Sequence, residues 1–260
     1  MSAAAALPEV PADARARYER DGYLCPVDVF SPAESAALRA EFDALEAEVG
    51  REASQTGLHG RHMDLPFVWR MAANARVLAW IEAIMGPDIV LLSSQFFCKY
   101  PAREVGAYVA WHQDVTYWGL DPMEAHSAWI AVDDADEQNG CMQAIPGTHR
   151  EGMAPHVTSR TPGNLLSIEQ EIPDEYVDRS RVVSLAMKAG QMSLHHGKLF
   201  HASPPNRSQR RRCGLAVRFV PPHVRQVAAN SRGEPYRMLH LRGDDPQGLH
   251  RDTALPFELQ

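Results

Sequence analysis

The 260-residue chain contains no run of eighteen consecutive apolar residues, so nothing in it reads as a membrane-spanning helix. Cysteine is scarce and dispersed. Cys25, Cys98, Cys141 and Cys213 form no C-x-x-C pair, which argues against a zinc ribbon and a disulfide framework and fits a reducing cytoplasm. The opening Met1-Ser-Ala-Ala-Ala-Ala-Leu-Pro lacks a basic segment and runs into polar residues from Ala12, so no secretory signal is expected. Positive charge is in deficit, with 26 Lys and Arg against 33 Asp and Glu for a net charge of -7. That balance opposes a general attraction to nucleic acid, and the basic group of Arg207 and Arg210 to Arg212, with no interleaved aromatics, reads as a solvated turn. Internal repeats are absent, as is low complexity beyond the alanine-rich start.

What is present is ordinary globular usage, 45% hydrophobic and 23% charged, in a chain long enough for one sizeable core. A single domain over residues 1–260 is therefore expected, with 1–15 flexible. Ser31, Pro32 and Glu34 supply an N-cap, a proline at the first helical position and the acid of a capping box. Leu38, Phe42, Leu45 and Val49 then recur as one apolar stripe, which predicts a helix over 32–50. A second helix is predicted over 75–85, with Val77, Leu78, Ile81 and Ile84 buried and Gly86-Pro87 as its stop.

From Ile89 onward the texture changes to short β-type runs at 89–100, 127–132, 141–145, 182–187, 191–195 and 213–220, separated by turn pairs such as Asn139-Gly140 and Ala189-Gly190. Helices first and many short strands after them indicate the α+β class, with a two-sheet jelly roll as the expected β architecture. Residues 147–181 show little periodicity and the tail 221–260 is polar. Both segments are expected to border a pocket.

Trp111-His112-Gln113-Asp114 places an imidazole and a carboxylate two residues apart, on one face of an extended chain. Such a pair needs a third ligand from elsewhere. The stretch Leu194 to Val220 offers His195, His196 and His201. His201 is preferred because it is read as the end of a strand before Ser203-Pro204-Pro205-Asn206, so that the returning chain sets Arg212 beside the metal. Arg212, Gly214, Ala216 and Arg218 share one face of that returning strand, while Cys213, Leu215, Val217 and Phe219 share the other. Arginines among small residues suit a polar pocket, and a guanidinium there can grip a carboxylate through two hydrogen bonds. Adjacent His195 and His196 cannot both face the metal and read as supporting or surface residues. His149 reads as a turn residue, and Arg207 as solvated. Two imidazoles and one carboxylate suit iron(II) with open positions, and they also suit zinc in a hydrolase.

These motifs together resemble the phytanoyl-CoA dioxygenase-like branch of the iron(II)/2-oxoglutarate oxygenases. The likeness covers most of the chain: Asp21-Gly-Tyr-Leu, Trp111-His-Gln-Asp, Ala128-Trp-Ile-Ala-Val-Asp-Asp-Ala, Asn139-Gly-Cys-Met, Ile145-Pro-Gly-Thr-His and His201-Ala-Ser-Pro-Pro-Asn-Arg-Ser occur in the family's order. The resemblance implies a cupin-like double-stranded β-helix with flanking N-terminal helices. It implies iron(II) held by His112, Asp114 and His201, 2-oxoglutarate paired with Arg212, and dioxygen as the oxidant. Lys99, Gln113, Trp129 and Ser203 follow as neighbours of the co-substrate. Related halogenases carry Gly or Ala where this chain has Asp114, so hydroxylation is expected, with desaturation or epoxidation as the variants.

Phe97, Tyr117 and Trp118 are candidates for an apolar substrate wall, and Arg218 for contact with a substrate anion. A small organic metabolite, an amino acid or a natural-product intermediate, is the expected substrate, with an acyl-CoA as the alternative. A binding protein that keeps the barrel without the chemistry is the non-enzymatic alternative. Neither a nucleic-acid partner nor a membrane is expected, and the sequence leaves the oligomeric state open.

Overall fold

In a computed structural model, the protein is described over residues 7–101, 106–159, 161–166, 170–230, 233–250 and 254–259. Its elements run α1 (Ala14–Asp21), β1 (Tyr23–Asp28), α2 (Pro32–Val49), α3 (Pro66–Ala72), α4 (Ala75–Met85), β2 (Ile89–Lys99), β3 (Val109–His112), β4 (Leu120–Asp121), β5 (His126–Ala131) and β6 (Met142–Ala144). They continue with β7 (Val157–Thr158), β8 (Gln170–Glu171), β9 (Val183–Leu185), β10 (Gln191–His196), β11 (His201–Ser203), β12 (Arg212–Val220), β13 (Arg225–Gln226) and β14 (Leu239–Arg242). Helices and antiparallel sheet are mixed, as expected.

Local chemistry explains the longest helix. The Ser31 hydroxyl accepts from the Glu34 amide at 3.3 Å and the Glu34 carboxylate accepts from the Ser31 amide at 2.7 Å, so the predicted capping box is formed. Leu38, Phe42 and Leu45 are buried along its inner face. The four apolar residues expected to face the core from α4 are also buried, and Gly86 follows it.

A six-stranded sheet has the order β1-β10-β5-β12-β2-β14 and a four-stranded sheet the order β3-β11-β6-β9; every pairing in both is antiparallel. Strand alternation divides the larger sheet into two faces. Cys213, Leu215, Val217 and Phe219 of β12 join the helix residues in the main core, where Phe42 and Phe96 lie ring to ring at 4.8 Å. The opposite face carries Arg212, Ala216 and Arg218 into a cavity whose other wall includes Val109, Met142, His201 and Ser203 of the smaller sheet.

Several expectations are revised. His201 begins β11 instead of ending a strand: β10 stops at His196 and the chain turns at Gly197-Lys198 into the other sheet. Ala14 and Arg15 already belong to α1, inside the stretch expected to be flexible, and residues 1–6 of that stretch lie outside the described residues. The polar tail supplies an edge strand, because Leu239 and Leu241 of β14 turn apolar side chains into the core. Residues 160 and 167–169 of the pocket-bordering segment, and 231–232, 251–253 and 260 of the tail, lie outside the described residues. No helix among the described residues is long and apolar enough to cross a membrane.

Candidate metal centre

His112 is the last residue of β3, and Gln113 after it is extended (φ −120°, ψ 123°), so His112 and Asp114 project to one side even though Asp114 opens a 3-10 turn. His201 pairs directly with His112 across β11 and β3, which puts their ring centroids 4.1 Å apart. One donor atom from each of His112, Asp114 and His201 lies within 4.8 Å of the other two, and all three residues are buried.

The tautomers are set by the backbone. Nδ1 of His112 donates to the Ala110 carbonyl at 2.8 Å, and Nδ1 of His201 to the Leu199 carbonyl at 2.9 Å. A carbonyl can only accept, so each Nδ1 carries the proton and each Nε2 presents its lone pair toward Asp114. His112 Nε2 is 3.4 Å and His201 Nε2 3.9 Å from Asp114 Oδ1. The other carboxylate oxygen, Oδ2, accepts from the Ser127 hydroxyl at 3.2 Å and lies 3.5 Å from His195 Nε2. Burial pushes the Asp114 carboxyl up, but contact with the surrounding imidazoles and with Arg218 outweighs this and holds it well below the usual carboxylate range. Burial, with His112 beside it, holds His201 well below the usual imidazole range, so it stays neutral and available as a ligand.

Arg212 is 3% exposed, its Nε has no partner, and no carboxylate pairs with it among the described residues. Burial lowers it to about 10. Its guanidinium carbon sits 4.3 Å from the centre of a Trp129 ring. Gly214 makes room for that indole, because a Cβ there would meet Trp129 at 2.2 Å. A glycine in mid-strand is here a matter of space.

The cavity, partly open to solvent, gathers most of the residues singled out from sequence. His112, Asp114, His201, Arg212, Trp129 and Ser203 line it, as do Phe97, Tyr117, Trp118 and Arg218. Two do not. Lys99 is fully buried behind the wall, where its ammonium donates to the Ser203 hydroxyl and Pro204 carbonyl at 2.6 Å and to the Ser203 carbonyl at 2.9 Å. Gln113 faces away from the cavity. Its amide donates to the Gly152 and Lys198 carbonyls and accepts from the Ala154 amide, which ties the following loop to β3.

His149 meets the Glu19 carbonyl at 3.1 Å, and His196 packs between His126 and His149, so neither joins the cluster. Sequence reasoning overlooked Ser127, Gln95, Leu165 and Leu166. Ser127 and Gln95 share strand parity with Trp129 and Phe97, a usable signal. Leu165 and Leu166 sit in a segment with no periodicity to read.

Fold and site together define a mixed helix and antiparallel-sheet protein with a buried facial set of two histidines and one carboxylate. The sequence profile described as phytanoyl-CoA dioxygenase (PhyH) matches residues 18–214, and the chain belongs to that family. It is similar to phytanoyl-CoA dioxygenase 1 of Oryza sativa subsp. japonica, 28% identical over 62% of this chain and 56% of that one. It is also similar to L-proline trans-4-hydroxylase of Streptomyces griseoviridis, 28% identical over 80% of this chain and 85% of that one. The chain spans about half the length of the curated phytanoyl-CoA dioxygenases that it matches. Among solved structures it is similar to the non-heme monooxygenase ThoJ, with a TM-score of 0.73 and 28% identity over 90% of this chain and 85% of that one.

Proposed function

We propose that this protein is an iron(II)/2-oxoglutarate-dependent oxygenase, one domain built on a double-stranded β-helix, that hydroxylates a C–H bond of a small organic metabolite. The observation that carries this reading is the convergence of His112, Asp114 and His201 within 4.8 Å, in the same cavity as a buried arginine that has no counter-ion among the described residues. Two neutral imidazoles and a carboxylate fit iron(II), and holding one face of its octahedron leaves positions open for a chelating oxo-acid and dioxygen. Iron(II) with 2-oxoglutarate and dioxygen supplies an oxidative decarboxylation that releases succinate and carbon dioxide and delivers an oxygen atom to the substrate.

The protein's own work is placement. His112 and His201 are held by backbone carbonyls so that their lone pairs meet at one point. Ser127 and His195 occupy Asp114 Oδ2 and leave Oδ1 to face the histidines. Arg212 anchors the distal carboxylate of 2-oxoglutarate, with Trp129 fixing the guanidinium plane and Ser203 beside it. Phe97, Tyr117, Trp118 and Leu165 give the cavity apolar walls that limit water at the reacting carbon. Because Asp114 fills the third ligand position, oxygenation is favoured over halogenation. The relative named L-proline trans-4-hydroxylase, matched over most of both chains, supports a small substrate over an acyl-CoA.

The test is to load the protein anaerobically with iron(II) and 2-oxoglutarate, admit oxygen in the presence of candidate metabolites, and measure succinate. Succinate that requires both iron(II) and 2-oxoglutarate is the expected result. Failure to bind 2-oxoglutarate, or hydrolysis supported by zinc alone, would overturn the reading.

A further inference from the structure

Resting on the oxygenase reading, we propose that Arg218 anchors one free carboxylate of the substrate, so that the site takes small carboxylic acids, amino acids among them, and not thioesters. Arg218 is the second arginine on the cavity face of β12. It is 8% exposed, its Nε is buried without a partner, and it makes no ion pair or hydrogen bond among the described residues. The rings of Trp118 and Phe97, 5.2 and 5.8 Å from its guanidinium carbon, hold it in place without neutralising it. A desolvated cation that feels Asp114 only at a distance, with no ion pair of its own, is unfavourable unless something brings an anion to it.

2-Oxoglutarate does not meet that need. Arg212 and Arg218 are six residues apart on one strand, roughly 20 Å along it at about 3.3 Å per residue, and each is held by different rings. In the sheet Arg212 lies opposite Lys99, whereas Arg218 lies opposite Ser127, the residue that donates to Asp114. Arg218 therefore serves the Asp114 end of the cavity, where a substrate would meet the metal while 2-oxoglutarate extends toward Arg212.

The anion's chemistry follows from the count of charges. Besides Arg212 and Arg218, no lysine or arginine lines the cavity among the described residues, so one unit of positive charge awaits the substrate. That matches the monoanion of a carboxylic acid better than a phosphate dianion. The fork of a guanidinium also fits two carboxylate oxygens. Phe97, Tyr117 and Trp118 around it favour a short apolar body on the acid. An acyl thioester has its carboxyl masked and offers Arg218 nothing at that point.

The experiment uses the twenty proteinogenic amino acids and a set of C4 to C8 monocarboxylic acids, each paired with its methyl ester. Binding to the anaerobic iron(II)/2-oxoglutarate protein is measured by ligand-observed NMR, and 2-oxoglutarate binding separately by calorimetry. Expected are one or more acids that bind at least tenfold tighter than their esters. Arg218→Met should remove that preference and Arg218→Lys should keep part of it, with both variants binding 2-oxoglutarate within twofold of wild type. Esters binding as well as acids, acid binding unaffected by R218M, or no acid bound at all would each overturn the proposal. Loss of 2-oxoglutarate binding in the wild type would overturn the oxygenase reading instead. Thermal melting of both variants identifies a folding defect, and R218K then carries the comparison.

Discussion

Arg211 and Arg212 are consecutive in the chain and stand in opposite surroundings. Arg211 turns to the helix side, where its guanidinium lies 2.6 Å from Glu46, 2.7 Å from Asp43 and 2.8 Å from Asp133. Arg212 turns into the cavity and meets an indole face but, among the described residues, no carboxylate. Alternation along a strand sends neighbouring side chains to opposite faces, so one step along the backbone separates a charge spent on the fold from one held for a ligand. The acids follow the same division. Asp114 is the one carboxylate lining the cavity among the described residues, and its partners there are histidines and Ser127.

The strongest way to break this division is to remove that acid. Asp114→Ala takes away a ligand and the group that both histidines face, so iron(II) retention and succinate formation are expected to fall below detection. Normal iron content with full activity in this variant would refute the ligand assignment. Next comes a crossed pair. Arg212→Met should weaken 2-oxoglutarate binding by about 10- to 100-fold, the loss expected for hydrogen bonds to a charged partner of about 1.5–3 kcal/mol, while melting stays near wild type or rises because an unpaired buried cation is gone. Arg211→Met should do the reverse. It strands Asp133 and Glu46, both mostly buried, and is expected to destabilise by about 1–3 kcal/mol, discounted from a fully buried pair for partial exposure, with 2-oxoglutarate affinity unchanged. Equal effects of the two substitutions on melting and on affinity would show that the two sides are not separate. Ser127→Ala is a milder probe of the cavity side. Freeing Asp114 Oδ2 from one of its two contacts should reduce iron(II) affinity by about tenfold, the low end for groups that orient a metal ligand, and a metal titration reads it directly.

Much of the helix side was legible because its signals are local. The capping box at Ser31 and Glu34 and the stripe through Leu38, Phe42 and Leu45 lie within one helix, and both formed. On the cavity side, the alternation that divides Arg212 and Arg218 from Leu215 and Val217 was equally plain, since nine residues of β12 give period two room to show. The short strands were harder. β3 and β11 have four and three residues, too few for a pattern to show that His201 begins a strand instead of ending one. Position in a motif puts Gln113 and Lys99 beside the co-substrate, whereas their orientation depends on partners such as Gly152 and Ser203 that are 39 and 104 residues away. The contact of Ser127 with Asp114 is likewise set by sheet pairing, which no local window contains.

Acid offers the gentlest test, because Glu34 is on the helix side and remote from the cavity. Its carboxyl is lowered to about 2, first by Arg76, which it meets at 2.6 Å, against a smaller burial effect, and then by the Ser31 cap. A carboxyl lowered in the folded state stabilises fully above its ordinary range and loses that contribution as pH falls toward the folded value. Here the loss should run from about pH 4.5 down to about 2. The side chain is 40% exposed, so solvent screening keeps the contribution small, under about 1 kcal/mol. Urea midpoints of wild type and Glu34→Gln should differ slightly at pH 7, and the gap should narrow as pH falls from about 4.5 toward about 2, with 2-oxoglutarate affinity at pH 7 the same in both. A gap that stays constant over that whole range would mean that the cap works through geometry without its charge. A change in 2-oxoglutarate affinity would mean that the helix side and the cavity are coupled after all.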